Sequence, residues 1–517
     1  MDLDSSVRVV KRYRVDSYGD VFVEIVESVD GMLRYVVREP PLEGIANKIL
    51  SKAIERIMSD TKLLTSFTQS LDVEEAVRIA KQVVERVAKR VAGFRKRVDS
   101  SVIDSVVYYV VRDFVGYGPL DPLMRDPFIE DITCDGVAIP VHVFHSEFEW
   151  LETNIVFPDS ESLERVVRKL AYRCGKEPTV AQPIVEGTLR PEGYRVHIVL
   201  DVVSRRGHTF TIRKFRATPF TVAELIARRT LDPGVAAILW MAAENKQGIV
   251  IFGPTGSGKT TLLNAVAMLL PSEMKIVTAE DTPEIVLPFH DNWVALVTRL
   301  AQDSYVQSVT LQAQVESAMR QRPDVLILGE IRSREAYSYF QAVSTGHGGI
   351  TTIHAESIES LIRRLVSPPM NVPKSLVATN RLYVHILRMV IGGNVVRKVM
   401  AVYEVVDYDP MRDVMTIRTL ARWDRERDRW LFALENSSLF KAIAELLAVS
   451  YRDVLEDFRR RAYVLLWAAK RGLDVVSLHA LVRRYRRDPE GVYREVVKEI
   501  GSEYEIEVMD REEIKTL

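Results

Sequence analysis

The stretch IVIFGPTGSGKTT, residues 249–261, decides the fold of the chain around it. An apolar run typical of a buried strand comes first, and a pattern typical of a helix follows. The segment GPTGSGKT between them matches the eight-residue phosphate-binding pattern, with glycines at 253, 256 and 258. Glycines let the backbone turn so that successive N–H groups point at a phosphate, and the helix N-terminus adds partial positive charge. The sequence therefore predicts a phosphate-binding loop between a strand and a helix.

The polar end of this loop indicates which phosphates it would hold. Lys259 is expected to bridge the β- and γ-phosphates of a nucleoside triphosphate, and the Thr260 hydroxyl is expected to bind magnesium. The expected ligands are therefore a nucleoside triphosphate and Mg²⁺. The residues expected to surround them are Gly253, Pro254, Thr255, Gly256, Ser257, Gly258, Lys259, Thr260 and Thr261.

Strands and helices alternate from about residue 230 onward, which predicts a mostly parallel sheet with ligands at the carboxyl ends of its strands. The run DVLILGE, residues 324–330, is a buried strand that ends in a carboxylate. ATP hydrolysis needs a group that orients or deprotonates water, and Glu330 is the candidate. Gly329 stands where many such ATPases carry an aspartate for the metal shell. The magnesium must therefore depend more on Thr260, phosphate oxygens and water.

Two more strand ends carry ionisable groups to the same edge of the sheet. The strand KIVTA is followed by Glu280 and Asp281, and the strand GITTI is followed by His354. A lone histidine is more often structural than catalytic, and a buried glutamate can belong to a structural salt bridge. The convergence of several such groups on one edge nevertheless favours an active site.

The composition is that of an ordinary globular protein, since 47% of the 517 residues are hydrophobic and 27% are charged. This length predicts about three or four domains. The 70 basic and 71 acidic residues give a net charge of −1, whereas nucleic-acid binding usually needs a strongly basic domain. No nucleic-acid partner is therefore expected.

Cysteine usage and hydropathy predict the compartment. Cys134 and Cys174 form no C-x-x-C pair, which argues against a disulfide framework and favours a reducing compartment. The N-terminus lacks the apolar segment of a signal peptide, and the apolar runs are much shorter than the roughly 18 residues that a membrane span needs. We therefore expect a cytoplasmic protein that contacts a membrane only through a partner or its surface.

Changes of pattern along the chain predict its domains. Alternating apolar and polar positions around a Val-Asp-Gly turn predict a hairpin within the first forty residues, and helical spacing follows it. The expected divisions are an N-terminal hairpin and helical module at 1–99, an α+β domain at 100–217, a linker with one helix at 218–232, an α/β ATPase domain at 233–405 and a helical C-terminal subdomain at 406–517.

Four segments, in this order and spacing, resemble the motifs of the secretion ATPases that drive type II secretion, type IV pili and the archaellum. They are GPTGSGKTT at 253–261, AEDTPE at 279–284, LILGEIR at 326–332 and STGHGGITTIHA at 344–355. They match the Walker A motif, the Asp box, the Walker B motif with glycine before glutamate, and the His box of that family. The resemblance extends from about residue 100 to the C-terminal helices and is strongest to the archaeal branch.

This resemblance implies an α/β fold in which a PAS-like N-terminal domain accompanies a RecA-like P-loop ATPase domain, with helical extensions at both ends. It implies a homohexamer at the inner face of the cell membrane. ATP hydrolysis by this ring would drive pilin-like or archaellin-like subunits through a polytopic membrane platform protein. Bacterial type II members often carry a tetracysteine zinc insert; this chain has only two cysteines, so zinc is not expected.

The resemblance also implies roles for single residues. Glu330 is the expected catalytic glutamate. Glu280 and Asp281 match the Asp box, which positions metal and water, and Glu280 is the expected metal ligand among them. His347 and His354 match the two histidines of the His box, of which His354 is the expected phosphate sensor.

In this family, arginines of the N-terminal domain reach the phosphates of the nucleotide. The matching positions are Arg195 in GYRVHI and Arg213 in TIRKF, and Arg190 is a competitor. A guanidinium from a mobile domain can stabilise charge on the γ-phosphoryl group and increase the rate by roughly 10³–10⁵. The alternative for these arginines is an ordinary surface salt bridge.

Two other functions use the same core. A nucleic-acid translocase shares the RecA-like domain, but the near-zero net charge argues against it. A nucleotide-gated scaffold that does not hydrolyse ATP would keep the loop without needing Glu330. Among secretion ATPases, the motifs leave open whether an archaellum, an adhesive pilus, a DNA-uptake pilus or a secretion system is served, and whether the filament is assembled or retracted.

Overall fold

The computed structural model describes residues 8–15, 18–69, 72–92, 98–215, 218–299, 308–392 and 394–501. The chain forms two compact units, 1–217 and 218–517. The ends of the expected terminal modules, 1–7 and 502–517, lie outside the described residues. Within the ranges just given, no helix is both long and apolar enough to cross a membrane.

The first unit combines a large sheet with helices. Its strands are β1 (Arg8–Arg14), β2 (Phe22–Glu27), β3 (Leu33–Arg38), β4 (Ile129–Cys134), β5 (Pro140–His145), β6 (Glu149–Val156), β7 (Ile184–Thr188), β8 (Arg195–Val199) and β9 (Thr209–Arg213). Its helices are α1 (Ile45–Met58), α2 (Thr61–Gln69), α3 (Val73–Ala92), α4 (Ser100–Phe114), α5 (Asp121–Arg125) and α6 (Ser160–Arg173), with a 3₁₀ turn at Gly118–Leu120.

The strands of the first unit form one sheet in the order β1-β2-β3-β6-β5-β4-β9-β8-β7, so β1 is the outermost strand on one side. The predicted hairpin is confirmed, because β2 and β3 pair antiparallel on either side of Gly31. This hairpin is not a separate module, since β3 pairs with β6 and continues the sheet. The Asn154 amide secures the join by accepting from the N–H of Val37 at 2.8 Å and donating to its carbonyl at 3.0 Å.

The helices α1, α2, α3 and α4 pack in a core of their own. In α3 the buried positions include Ala76, Ala80, Val83 and Val87, which recur at helical spacing. Helices therefore follow the hairpin as predicted, but α4 shares their core, which extends past the expected boundary at residue 99.

The second unit has a larger set of elements. Its strands are β10 (Ile249–Gly253), β11 (Ile276–Glu280), β12 (Trp293–Val297), β13 (Val325–Ile331), β14 (Gly348–His354), β15 (Leu382–Ile391), β16 (Asn394–Asp409), β17 (Val414–Asp424) and β18 (Arg429–Phe432). Its helices are α7 (Val222–Ala227), α8 (Pro233–Glu244), α9 (Lys259–Ala267), α10 (Leu311–Met319), α11 (Glu335–Ser344), α12 (Ile358–Val366), α13 (Lys374–Val377), α14 (Ser438–Leu447), α15 (Tyr451–Arg471), α16 (Val475–Arg487) and α17 (Pro489–Ile500).

The sheet of the second unit has the order β12-β11-β13-β14-β10-β15-β16-β17-β18. The pairs from β12 to β15 are parallel, and β10 lies between β14 and β15. β10 and β11 are buried along their whole length, as expected for parallel strands that helices cover on both faces. The predicted α/β class is therefore confirmed, and the carboxyl ends of the parallel strands meet at one edge.

The segment 218–232, expected as a linker with one helix, contains α7. Val222, Leu225 and Ile226 of this helix are buried in the core of the second unit. The predicted helix is present, and its apolar face makes the segment an integral part of this unit.

The expectation of a helical subdomain from residue 406 is wrong up to residue 432. β16, β17 and β18 extend the sheet with antiparallel pairs through this region. The strands are rich in charge because one face packs on the core while the other meets solvent. In β17, for example, Ala421 and Trp423 are buried and Arg422 between them is exposed. After residue 406, the described helices begin only with α14.

A buried carboxylate joins the antiparallel strands to α14. Glu404 of β16 is fully buried. Its Oε1 accepts from Nε of Arg418 on β17 at 3.0 Å. Its Oε2 accepts from the hydroxyls of Ser437 at 2.7 Å and Ser438 at 3.0 Å, and from the N–H of Leu439 at 3.1 Å. Because both oxygens are satisfied, Glu404 fixes the start of α14 to the sheet.

Glu404→Ala should lower the free energy of unfolding of the second unit by about 3–5 kcal/mol, because it leaves the Arg418 guanidinium without its carboxylate partner. Glu404→Gln should cost less, since the amide retains part of the network. Urea unfolding followed by the fluorescence of the buried Trp423 and Trp430 measures the change. The control is Glu445→Ala, at an exposed position of α14. Equal unfolding midpoints for Glu404→Ala and Glu445→Ala would contradict this role.

Candidate active site

The phosphate loop leaves the carboxyl end of β10 and enters α9, as the sequence predicted. Gly256 and Gly258 have φ angles of 72° and 91°, in the left-handed region that favours glycine. Gly253 is needed for another reason, since a Cβ there would lie 2.0 Å from the carbonyl oxygen of Ile386 on β15. The glycines therefore shape the loop and let it lie close to the neighbouring strand.

Lys259 is buried at the first position of α9. Its Nζ donates to the carbonyl of Pro254 at 2.9 Å and lies 3.4 Å from Nδ1 of His354. The Ser257 hydroxyl is buried in the loop and has no hydrogen-bond partner within the described part of the chain. An ammonium, an unpaired hydroxyl and a helix N-terminus at one place suit an anionic phosphate group.

Glu330 and His354 meet at the ends of β13 and β14. Nε2 of His354 lies 3.1 Å from Oε1 of Glu330, and a break in register between Leu328 and Ile331 places the glutamate there. Burial and the Lys259 ammonium lower the pKa of His354, and Glu330 opposes this effect. A neutral imidazole uses both nitrogens here, because Nδ1 accepts from Lys259 and Nε2–H donates to Glu330. Successive side-chain contacts thus connect Lys259 to His354 and His354 to Glu330.

Arg332, which the sequence analysis missed, holds the second oxygen of Glu330. Its Nη2 donates to Oε2 at 2.6 Å, and its Nη1 lies 3.8 Å from the carboxylate of Asp281. Residues two apart along a strand point to the same face. That spacing in LILGEIR is the signal that could have identified Arg332 as a neighbour of Glu330. Asp281, predicted from the Asp box, is thereby brought to the same edge.

Glu280 ends β11 and is 2% exposed. Its Oε1 accepts from the N–H groups of Glu284 at 2.9 Å and Ile285 at 3.1 Å. Burial raises the pKa of the carboxyl to about 8, although the two N–H groups oppose the rise. A Cβ on Gly329 would lie 3.2 Å from Cγ of Glu280. Glu280 therefore fills the space in which an aspartate side chain at 329 would begin.

The geometry corrects the expected place of His347. This residue precedes β14, whereas His354 ends it. The seven residues of the strand put roughly 20 Å between the two histidines. His347 Nδ1 lies 3.2 Å from the carbonyl oxygen of Ala342. Within its own chain, His347 therefore does not belong to the phosphate-loop edge.

The predicted arginines lie in the first unit. Arg195 on β8 and Arg213 on β9 are direct register partners, and both are exposed. Nη2 of Arg195 donates to Glu186 at 3.2 Å. Burial raises the pKa of Asp131, and Arg213 opposes the rise. Arg190 is exposed after β7, outside this strand pair. Because register partners share a face, Arg195 and Arg213 place two guanidinium groups on one side of the sheet.

A second arginine that the sequence analysis missed contacts the loop itself. Arg397 of β16 donates through Nε to the carbonyl of Gly256 at 3.2 Å. No local pattern marks it, because only the pairing of β10 with β15 and of β15 with β16 brings it to the loop.

Comparison with known proteins gives one family. The family model described as type II/IV secretion system protein matches residues 115–412. The Methanocaldococcus jannaschii protein MJ0900 is 34% identical over 462 residues, which cover 86% of this chain and 83% of that protein. The conjugal transfer protein TrbB of Rhizobium radiobacter is 33% identical over 206 residues, or 39% of this chain and 61% of that protein.

Two solved structures are also similar. The VirB11 ATPase of the Brucella suis type IV secretion system is 27% identical with a TM-score of 0.29, and the match covers 55% of this chain and 92% of that chain. The pilus retraction motor PilT with bound ADP is 19% identical with a TM-score of 0.41, and covers 55% and 81%. The family match spans more than half of the chain and contains the phosphate loop, Glu330 and His354. As the motifs predicted, the chain belongs to the type II/IV secretion system family and is an ATPase.

Proposed function

We propose that this chain is the subunit of a hexameric, Mg²⁺-dependent ATP-hydrolysing motor that powers assembly or secretion of pilin-like subunits through a polytopic membrane platform protein. The observation that carries the proposal is the chain of contacts from Lys259 through His354 to Glu330. Family membership supports the coupling of hydrolysis to a secretion-type machine. The motor would work in the cytoplasm, at the inner face of the cell membrane.

The residues at the loop fit a magnesium ion that arrives with the nucleotide. No cluster of three or more His, Cys, Asp or Glu side chains in the described residues could hold a metal alone. Magnesium usually takes one or two protein ligands and completes its shell with phosphate oxygens and water. The proposed ligands are the Thr260 hydroxyl and the Glu280 carboxylate. Glu280 is buried and pairs with no basic side chain among the described residues. The bound ion neutralises charge on the phosphates.

Glu330 is the proposed group that orients the attacking water and accepts its proton. His354 and Arg332 hold one oxygen each, which fixes the orientation of the carboxylate. Arg332 has Asp281 within 3.8 Å as a second acceptor, so it can release Glu330 when water takes its place.

Lys259 and His354 are proposed to link phosphate binding to Glu330. The ammonium now contacts the Pro254 carbonyl and His354. A triphosphate in the loop would attract Lys259 towards its β- and γ-phosphates, and His354 would then lose this neighbour. Because the same imidazole touches Glu330, the orientation of the carboxylate depends on whether phosphate is present.

Arg195 and Arg213 are proposed to act on the γ-phosphoryl group from the first unit. Their exposure and direct pairing support this role, since two adjacent guanidinium groups can bind phosphate oxygens together. Such groups stabilise the charge that spreads over the phosphoryl oxygens in the transition state. Movement of the first unit would then be coupled to hydrolysis.

Glu330→Gln should lower ATP turnover by at least about a hundredfold and leave ATP binding intact, because the amide keeps the size of the side chain but accepts no proton. Phosphate release and equilibrium binding of a fluorescent ATP analogue measure the two effects. The control Glu445→Gln changes an exposed residue of α14 and should turn over like the parent. Unchanged turnover in Glu330→Gln would favour a nucleotide-gated scaffold instead.

Gly329→Asp should lower turnover by about tenfold or more, because its side chain competes with Glu280 for one space and displaces that carboxyl group. Gly329→Ala should lower it less, since only a Cβ 3.2 Å from Cγ of Glu280 must be accommodated. Phosphate release at increasing Mg²⁺ concentration measures both variants. Parent-like activity and magnesium dependence in Gly329→Asp would show that Glu280 does not fill this space.

Arg195→Ala combined with Arg213→Ala should lower turnover by roughly a hundredfold or more, while nucleotide affinity falls only modestly. Arg190→Ala, tested alone, identifies the competitor. The control is Arg165→Ala, an exposed arginine of α6 that pairs with its own helix. A normal rate in the double variant would assign both arginines to surface salt bridges, and a loss confined to Arg190→Ala would move the role there.

A further inference from the structure

Arg397 touches the phosphate loop from the hairpin formed by β15 and β16. Its Nε donates to the carbonyl of Gly256 at 3.2 Å. Its Cδ lies 3.2 Å from the position that a Cβ on Gly258 would take. One side chain therefore contacts both loop glycines that have positive φ angles. Glycine has the least restricted backbone conformation of all residues. A contact from another side chain therefore has the largest effect on the backbone conformation at these positions.

The neighbouring residue on β16 fixes the direction of Arg397. Lys398 is buried, and its Nζ bonds Asp428 at 2.8 Å. The same ammonium lies 5.3 and 5.2 Å from the ring centres of Trp423 and Trp430. Successive side chains of a strand point to opposite faces. Because Lys398 is anchored on one face of the sheet, Arg397 lies on the opposite face, which meets the loop.

The hydrogen bond to Gly256 sets the orientation of one peptide group. The Gly256 carbonyl and the Ser257 N–H belong to the same planar trans peptide and point in opposite directions. When Arg397 holds the carbonyl on the outside, the N–H of Ser257 must point into the loop. This N–H faces the carbonyl of Pro254 at 3.4 Å, the same oxygen that accepts from Lys259. The Ser257 N–H therefore points into the same part of the loop as the Lys259 ammonium.

We propose that Arg397 is a positioning residue of the nucleotide site, which holds the peptide between Gly256 and Ser257 in the orientation that binds phosphate. The inference rests on the proposed function of the loop, but it concerns nucleotide binding rather than the hydrolytic step. It also gives the hairpin of β15 and β16 a mechanical connection to the loop, because a movement of Arg397 would turn this peptide.

Arg397→Ala should weaken binding of a fluorescent ADP analogue about tenfold, as expected for the loss of one hydrogen bond from a charged donor. KM for ATP should rise by the same factor, with kcat much less affected. Arg397→Gln is the decisive variant. Its Nε2 takes the chain position of the arginine Nε and can donate to the same carbonyl without a positive charge. It should bind within about threefold of the parent.

Arg412→Ala is the control, because Arg412 is an exposed arginine that follows β16 and pairs with Asp409. It should bind ADP like the parent. Parent-like binding in Arg397→Ala would overturn the inference. Equal loss in Arg397→Ala and Arg397→Gln, with parent-like binding in Arg397→Lys, would overturn it too, since the charge would then be what matters.

Thermal unfolding without nucleotide shows whether the variants fold alike. If Arg397→Ala unfolds at a lower temperature than the parent, its ADP binding is not used to judge the inference. ADP binding by Arg397→Gln, compared with that by Arg397→Lys, then decides it. ADP binding does not require Glu330, so a failure of the hydrolytic proposal in Glu330→Gln is distinguishable from a failure of this one.

Discussion

The parallel pairing of β10 with β14 is the constraint on which the site depends. Its register sets Gly253 beside His354, and the pairing of β14 with β13 brings Glu330 to the other side of the histidine. A slip of one residue in β14 would turn His354 to the opposite face of the sheet. A slip of two residues would move it by roughly 7 Å, out of contact with Lys259 and Glu330. The buried apolar strands thus determine the chemistry at their ends.

Two carboxylates at this edge have different surroundings. Glu330 has a histidine and an arginine as partners, whereas Glu280 is buried against Gly329 and accepts from two backbone N–H groups. Such a difference is typical of sites in which neighbouring acids have separate roles. It supports the proposed division, in which Glu330 acts on water and Glu280 on the metal ion.

Local patterns in the sequence predicted much of the fold and part of the site. The phosphate loop, Glu330 and His354 follow from strand-helix alternation and from ionisable residues at strand ends. Arg397 could not be found in this way, because only the pairing of strands far apart in sequence brings it to the loop. His347 was misplaced because two histidines of one motif are near in sequence but lie at opposite ends of a strand. The strands after 406 were missed because half-exposed strands carry as much charge as surface helices.

β1, the outermost strand on one side of the first unit's sheet, affects how readily copies of this chain can aggregate. A sheet edge offers unpaired N–H and carbonyl groups to any extended segment that approaches, which is a route to aggregation. β1, with the sequence RVVKRYR, presents mostly cationic side chains there, and its register breaks between Val9 and Lys11. Both features discourage a foreign strand from adding to the sheet. β1, added beyond the hairpin of β2 and β3, therefore gives the sheet a border that resists pairing with other copies of the chain.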